Sequence, residues 1–151
     1  MVQPSSIVGN NLIMKRSVPS TERTVSERKA LGRRVKLFYR RFNVEAWEAC
    51  YRLIDPKLTQ NGKVELAVYS ERMRAFKTVY GSVKPWLTRL SLHLDASPHQ
   101  RDTRPFAYVY LIWQDEAHEF HMFRDRWVKE NAHWYTRVVG LVANRQTTHS
   151  L

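Results

Sequence analysis

Asp125 and His121 are the side chains of this sequence best suited to acid–base chemistry. Both lie in the run AHEFHMFRDRWVK. Read as a strand, that run alternates its side chains between two faces. Glu119, His121, Phe123, Asp125 and Trp127 then share one face, and His118, Phe120, Met122, Arg124, Arg126 and Val128 share the other. The first set mixes aromatic with titratable groups, as the wall of a ligand pocket does, so it is expected to face inward. A carboxylate or imidazole in so dry a setting suits proton transfer. The two are four residues apart, about 13 Å along a strand, so they form no direct dyad. Each needs a partner from another element.

Cross-strand pairing supplies candidates. With Asp115-Glu116 as a two-residue turn, Gln114 faces Ala117. Tyr110 then lies opposite His121, Tyr108 opposite Phe123 and Phe106 opposite Asp125. Tyr108 and Tyr110 thereby join Phe123 and Trp127 as expected pocket residues, with Trp47, Tyr51 and Tyr69 from the helices. Structural readings stand beside these. His121 also reads as a core histidine next to an aromatic, Asp125 as the partner of Arg137 or of a helix-one arginine, and the Trp and Tyr residues as plain core. His93 and Asp95 read as a solvated pair. His118 and His121 are three apart and point to opposite strand faces, so one ion cannot bind both, and no metal is expected. Cys50 has no CxxC partner and reads as buried in the second helix. The sequence holds no Gly-rich phosphate loop, GxSxG or HExxH, and no cofactor is expected.

The elements that must hold these side chains follow from periodicity. PFAYVYLIWQ, AHEFHMFRDRWVK and HWYTRVVGLV are rich in aromatic and β-branched residues and are split by DE and ENA, which predicts a three-stranded meander. Residues 86–95 alternate Leu90, Leu92 and Leu94 with polar neighbours and add a first strand. Upstream, residues 24–42 predict a helix whose apolar stripe is Leu31, Val35, Phe38 and Phe42. A second is expected over 44–54, capped by Asn43 and stopped by Asp55-Pro56. A third spans 64–80, after the Asn61-Gly62 turn, with Gly81 as C-cap. The fold class is therefore α+β: three N-terminal helices packed on a four-stranded antiparallel sheet. Residues 1–22 read as a flexible basic leader, 23–143 as one domain and 144–151 as a frayed tail. Residues 106–114 are apolar on both faces, so the sheet must be covered twice. A second copy of the chain is the simplest cover for the face that the helices leave, which predicts a homodimer.

Of the 151 residues, 43% are hydrophobic and 26% charged, ordinary values for a globular chain. No apolar run approaches the ~20 residues of a membrane span. One cysteine allows no internal disulfide and fits a reducing, cytoplasmic setting. The net charge is +11, but residues 1–41 hold ten basic residues against Glu22 and Glu27, a net of +8 that leaves +3 for the rest. That distribution argues against a nucleic-acid face across the sheet. It leaves open a basic arm that touches RNA, DNA or an acidic protein.

The order of helices then sheet, and the run FRDRWVKENAHWY from Phe123 to Tyr135, resemble the nuclear transport factor 2-like superfamily. In its SnoaL-like and ketosteroid-isomerase-like branches, a strand ending Asp-x-Trp-Val meets a tight turn and then a strand opening with Trp. The resemblance implies a cystatin-like cone: a curved sheet wrapped over helices around a deep pocket, with frequent dimers through the sheet. It also implies one of two functions. One is an acid/base isomerase, cyclase or dehydratase, or a binder, acting on a small apolar ligand. The other is a non-catalytic dimerisation or assembly module whose basic N-terminal helix docks an acidic partner or RNA. Ala132 stands where the family often has glycine. Alanine resists positive φ, so the last turn is expected to be longer or of another type.

Overall fold

The computed structural model describes residues 20–82, 86–95 and 99–138. All but the end of the expected leader, all of the expected tail and the last residues of the final apolar run lie outside them.

Helix α1 (Ser20–Asn43) begins earlier than its apolar stripe requires. Leu31, Val35, Phe38, Tyr39 and Phe42 form that stripe and are all buried. Glu22 in the first turn and Arg40 and Arg41 in the last complement the helix dipole. The helix expected over 44–54 is shorter, Asn43 ends α1 instead of capping it, and an unexpected short helix follows beyond the Asp55-Pro56 stop. α2 (Trp47–Tyr51) follows Glu45, whose φ of 58° breaks the chain direction after α1. Asp55 does not simply stop it. Its carboxylate accepts the N–H of Lys57 and caps α3 (Pro56–Thr59), where Pro56 fills a first-turn position that lacks a backbone acceptor anyway. α4 (Leu66–Tyr80) buries Tyr69, Met73 and Phe76 and ends at Gly81, whose φ of 73° suits a residue without a side chain.

The strands β1 (Trp86–His93), β2 (Phe106–Gln114), β3 (Phe120–Glu130) and β4 (His133–Thr136) form one antiparallel sheet in chain order. Leu90 and Leu92 of β1, the buried half of β2 and Phe123 and Trp127 of β3 pack on the helices as one hydrophobic core. Among the described residues no helix is long and apolar enough to cross a membrane.

The β2–β3 turn differs from the expected two residues. Five residues, 115–119, intervene, closed by the Asp115 N–H to the Glu119 carbonyl and by the Glu119 N–H to Asp115 Oδ1. Gln114 therefore pairs with Phe120, Trp113 with His121, Leu111 with Phe123 and Val109 with Asp125. The displacement from the expected pairing is three residues, an odd number, so the opposite face of β2 meets the inward set of β3. Ala107, Val109, Leu111 and Trp113 line the core, and Tyr108 and Tyr110 are turned to the other side.

The β3–β4 turn also corrects the expectation. Asn131 and Ala132, with φ of 49° and 68°, make a two-residue turn between Glu130 and His133, the type I′ signature. Alanine accepts the left-handed conformation because the flanking pairs Lys129–Trp134 and Glu130–His133 fix the register. Exposed Ala132 has nothing to lose by shrinking. Ala132→Gly should raise stability by about 0.5–1 kcal/mol, the relief of left-handed strain less the entropy of glycine in the unfolded chain. A higher urea midpoint at unchanged m-value would show it.

Two polar clusters tie helices to sheet. Glu27 of α1 accepts the indole N–H of Trp134 at 2.9 Å and pairs with Lys129. Arg104, just before β2, bonds both oxygens of buried Asp55 at 2.6 and 2.8 Å and reaches Asp102 and Glu130 at 2.8 Å.

Candidate functional site

Asp125 sits at the centre of the inner face of β3 and is 1% exposed. A strand position between Phe123 and Trp127 leaves it nowhere to reach water. Tyr39, one turn before the end of α1, donates its hydroxyl to Asp125 Oδ2. Burial pushes the Asp125 carboxyl up to about 6, with the Tyr39 hydrogen bond pulling the other way. Tyr39 itself is raised well above the usual phenol range by burial, then by the Asp125 charge and hydrogen bond, then by Tyr69. At neutral pH the phenol keeps its proton and donates it, while Asp125 changes charge about one unit below neutrality. A base with that affinity is matched to proton transfer near pH 7.

The core between helices and sheet is rich in aromatic rings, and three buried polar atoms in it are idle. Tyr69 Oη, Trp113 Nε1 and Trp127 Nε1 are buried and make no hydrogen bond among the described residues. Buried donors normally find an acceptor, because losing water without replacement costs about 1–3 kcal/mol. Trp127 shares the inner face with Asp125 and packs edge-on against Phe38 at 6.1 Å. Trp113 stacks on Phe123 at 3.7 Å between centroids. Burial loosens along β3 toward the hairpin, where Phe123 and His121 are half-buried beside Tyr80.

The structure sorts the expected site residues. Asp125, Trp127, Phe123 and Tyr69 lie on the core side of the sheet and helices. Neither expected ionic partner holds Asp125: Arg137 turns to Asp55 and Asp102 instead. His121 lies on the same face but does not meet Tyr110. Its Nε2 is 2.7 Å from Asp115 Oδ2, and its ring packs on Trp113 and Tyr80. The Asp115 carboxyl is lowered by His121 first and by the Glu119 N–H second. Tyr108 and Tyr110 do not face inward as expected, because the longer turn places them on the opposite face of the sheet from Phe123, Asp125 and Trp127. Trp47 packs edge-on against Phe42, and Tyr51 donates to the Val64 carbonyl at 2.8 Å. Cys50 is buried in α2 as expected, and burial pushes its thiol up to about 12. Tyr39 was not among the expected residues. It extends the α1 stripe at four residues from Val35 and three from Phe42, and a hydroxyl in that row was the signal.

Asp115, Glu119 and His121 could together hold a metal ion, since one ligand atom from each lies within 4.8 Å of the others. His118 belongs to the hairpin backbone, at φ 65°, and takes no part. Both Asp115 oxygens are already engaged, by the Glu119 N–H and by His121.

Fold and site define an α+β protein that encloses a tyrosine–carboxyl pair between its first helix and a four-stranded antiparallel sheet. No protein-family model, no curated protein and no solved structure matches the chain.

Proposed function

We propose that the chain is a small-molecule pocket protein of the nuclear transport factor 2-like superfamily, cone-shaped, in which Asp125 is the general base and Tyr39 its hydrogen-bond donor. The reaction class is proton abstraction from an apolar ligand, as an isomerase, cyclase or dehydratase requires. One observation carries this reading: a fully buried carboxyl pushed up to about 6 and held by a protonated phenol. The unpartnered Tyr69, Trp113 and Trp127 donors support it, as groups able to fix a polar atom of a ligand.

A ring-opening deprotonation tests it without knowledge of the natural ligand. 5-Nitrobenzisoxazole loses a C–H proton to any desolvated carboxylate and releases a coloured phenolate. The protein should accelerate this, with a rate that rises between pH 5 and 7 and levels above the Asp125 inflection near 6. Asp125→Asn should lose at least about a hundredfold. Tyr39→Phe should move the inflection upward, because the Tyr39 bond favours the charged carboxylate. A rate no greater than that of free acetate, without inflection, would make the pair structural.

A second reading has its own support. Arg33, Lys36 and Arg40 are exposed on α1, whereas Arg34 and Arg41 bond the carbonyls of Trp134 and Ala49. These exposed cations, with Lys29 on the same helix, suit docking of an acidic partner by a non-catalytic assembly module.

A further inference from the structure

The sheet has a second face, and its charge is not that of the strands that build it. Along β2 and β3 the acids are withdrawn. Asp115, Glu116 and Glu119 sit in the hairpin, Asp125 points into the core, and Glu130 is bonded to Arg104. What remains outward is basic and aromatic. Arg89 of β1 lies over the ring of Tyr110 at 5.6 Å, Arg124 over Tyr108 at 4.9 Å and Arg126 over Phe106 at 4.8 Å. His93 stacks on Phe106 at 4.5 Å with planes 9° apart. Among the described residues no carboxylate pairs with any of these three arginines. The Nε of Arg126 is buried and makes no hydrogen bond. Toward the hairpin the face continues as Met122 and Phe120, 59% and 64% exposed.

We propose that this face binds single-stranded nucleic acid, with Arg89, Arg124 and Arg126 on phosphates and bases stacked on Tyr108, Tyr110 and Phe120. Cation and ring alternate in adjacent strands, and that is the combination single strands require: fixed positive charge for the backbone and flat surfaces for bases of any sequence. Guanidinium planes serve as stacking surfaces too. Charge complementarity favours this occupant over a second copy, which would set three unopposed arginines against three more. The segment charges hid the feature, because +3 beyond residue 41 is an average over two faces and a hairpin.

The experiment titrates the full chain into a fluorescein-labelled twelve-nucleotide oligouridine and follows anisotropy between 50 and 300 mM salt. The triple variant Arg89→Gln, Arg124→Gln, Arg126→Gln should flatten the slope of log affinity against log salt by about 2, at roughly 0.7 per lost phosphate contact. Tyr108→Ala and Tyr110→Ala should each weaken binding about tenfold with the slope kept. Photocrosslinking of the unsubstituted chain to 4-thiouridine should map to β2 and β3, and this arm holds even if a variant fails to fold. No binding at 50 mM salt would overturn the proposal, and so would crosslinks confined to other segments. Loss of binding in Arg33→Gln, Lys36→Gln, Arg40→Gln with the sheet variant unaffected would place the site on α1 instead. A stable dimer in sedimentation that the sheet substitutions dissociate would assign the face to a second copy.

Discussion

Arg104→Met will lower the free energy of unfolding by about 3–5 kcal/mol, the largest loss expected of any single polar substitution outside the acid–base pair. Arg104 is 12% exposed in its side chain and Asp55 is fully buried. The guanidinium bonds both Asp55 oxygens in the paired geometry that arginine and carboxylate share. Methionine fills much of the volume but leaves Asp55 charged and buried, with Arg137 at 3.7 Å as its remaining cationic partner. Asp55 also caps α3, and its N–H bonds the Thr136 carbonyl, so the damage reaches α3 and the β4 edge together. Glu130→Gln is the contrast: its carboxylate is half-buried, Arg104 keeps Asp55 and Asp102, and the loss should stay under about 1 kcal/mol.

The same cluster predicts a dependence on acid. Burial alone would raise Asp55, but the Arg104 bonds, the Lys57 N–H and the charges of Arg104 and Arg137 outweigh it and leave the carboxyl below the ordinary range. Asp102 is held well below that range, by Arg104 above all. Groups depressed in the folded state contribute stability that is present above the unfolded carboxylate pKa of about 4 and disappears as pH falls through the folded values. The gap between wild type and Arg104→Met, read from urea unfolding, should therefore narrow below about pH 4. A gap independent of pH would mean that the methionine variant fails through packing and not through charge.

How much of this was legible depends on the kind of pattern involved. Helical stripes and strand alternation are local, and they placed α1, α4, all four strands and the inward set of β3 except Glu119, which falls in the hairpin. The second helix is shorter than expected at both ends, and α3 was missed, because Asp55-Pro56 read only as a stop also caps a helix. Register failed at 115–119, because hairpin length is set by backbone closure through the Asp115 carboxylate, which composition does not reveal. That one error moved Tyr108 and Tyr110 to the wrong side and hid the arginine–aromatic face. Ala132 failed for a related reason: the strands on either side of it outweigh its own preference. Asp125 could be found because it interrupts an aromatic row. Its partner could not be fixed, since contact between α1 and β3 joins residues 86 positions apart.

Asp125→Asn will make the protein more stable at pH 7.5, by on the order of 2–3 kcal/mol, and leave it nearly unchanged at pH 4. The folded carboxyl titrates near 6, about two units above an aspartate in the unfolded chain. Between those values the folded protein holds a proton that the unfolded chain has released. The stability contributed by this group is therefore complete below about pH 4 and is lost as pH rises through 6. This slope runs opposite to that of Asp55 and Asp102, so wild-type stability should pass through a maximum in mildly acidic solution. Asparagine is neutral throughout and still offers an oxygen to the Tyr39 hydroxyl, so the neutral-side slope should vanish while the bond persists. Urea unfolding of both proteins from pH 4 to 7.5 isolates the effect, since every other titrating group is common to them. Parallel curves would place the carboxyl at an ordinary affinity and take away the basis for a catalytic base. A falling wild-type curve beside a flat variant would show that the chain gives up stability at neutral pH to keep a charged carboxylate in its core, the condition that proton transfer by Asp125 requires.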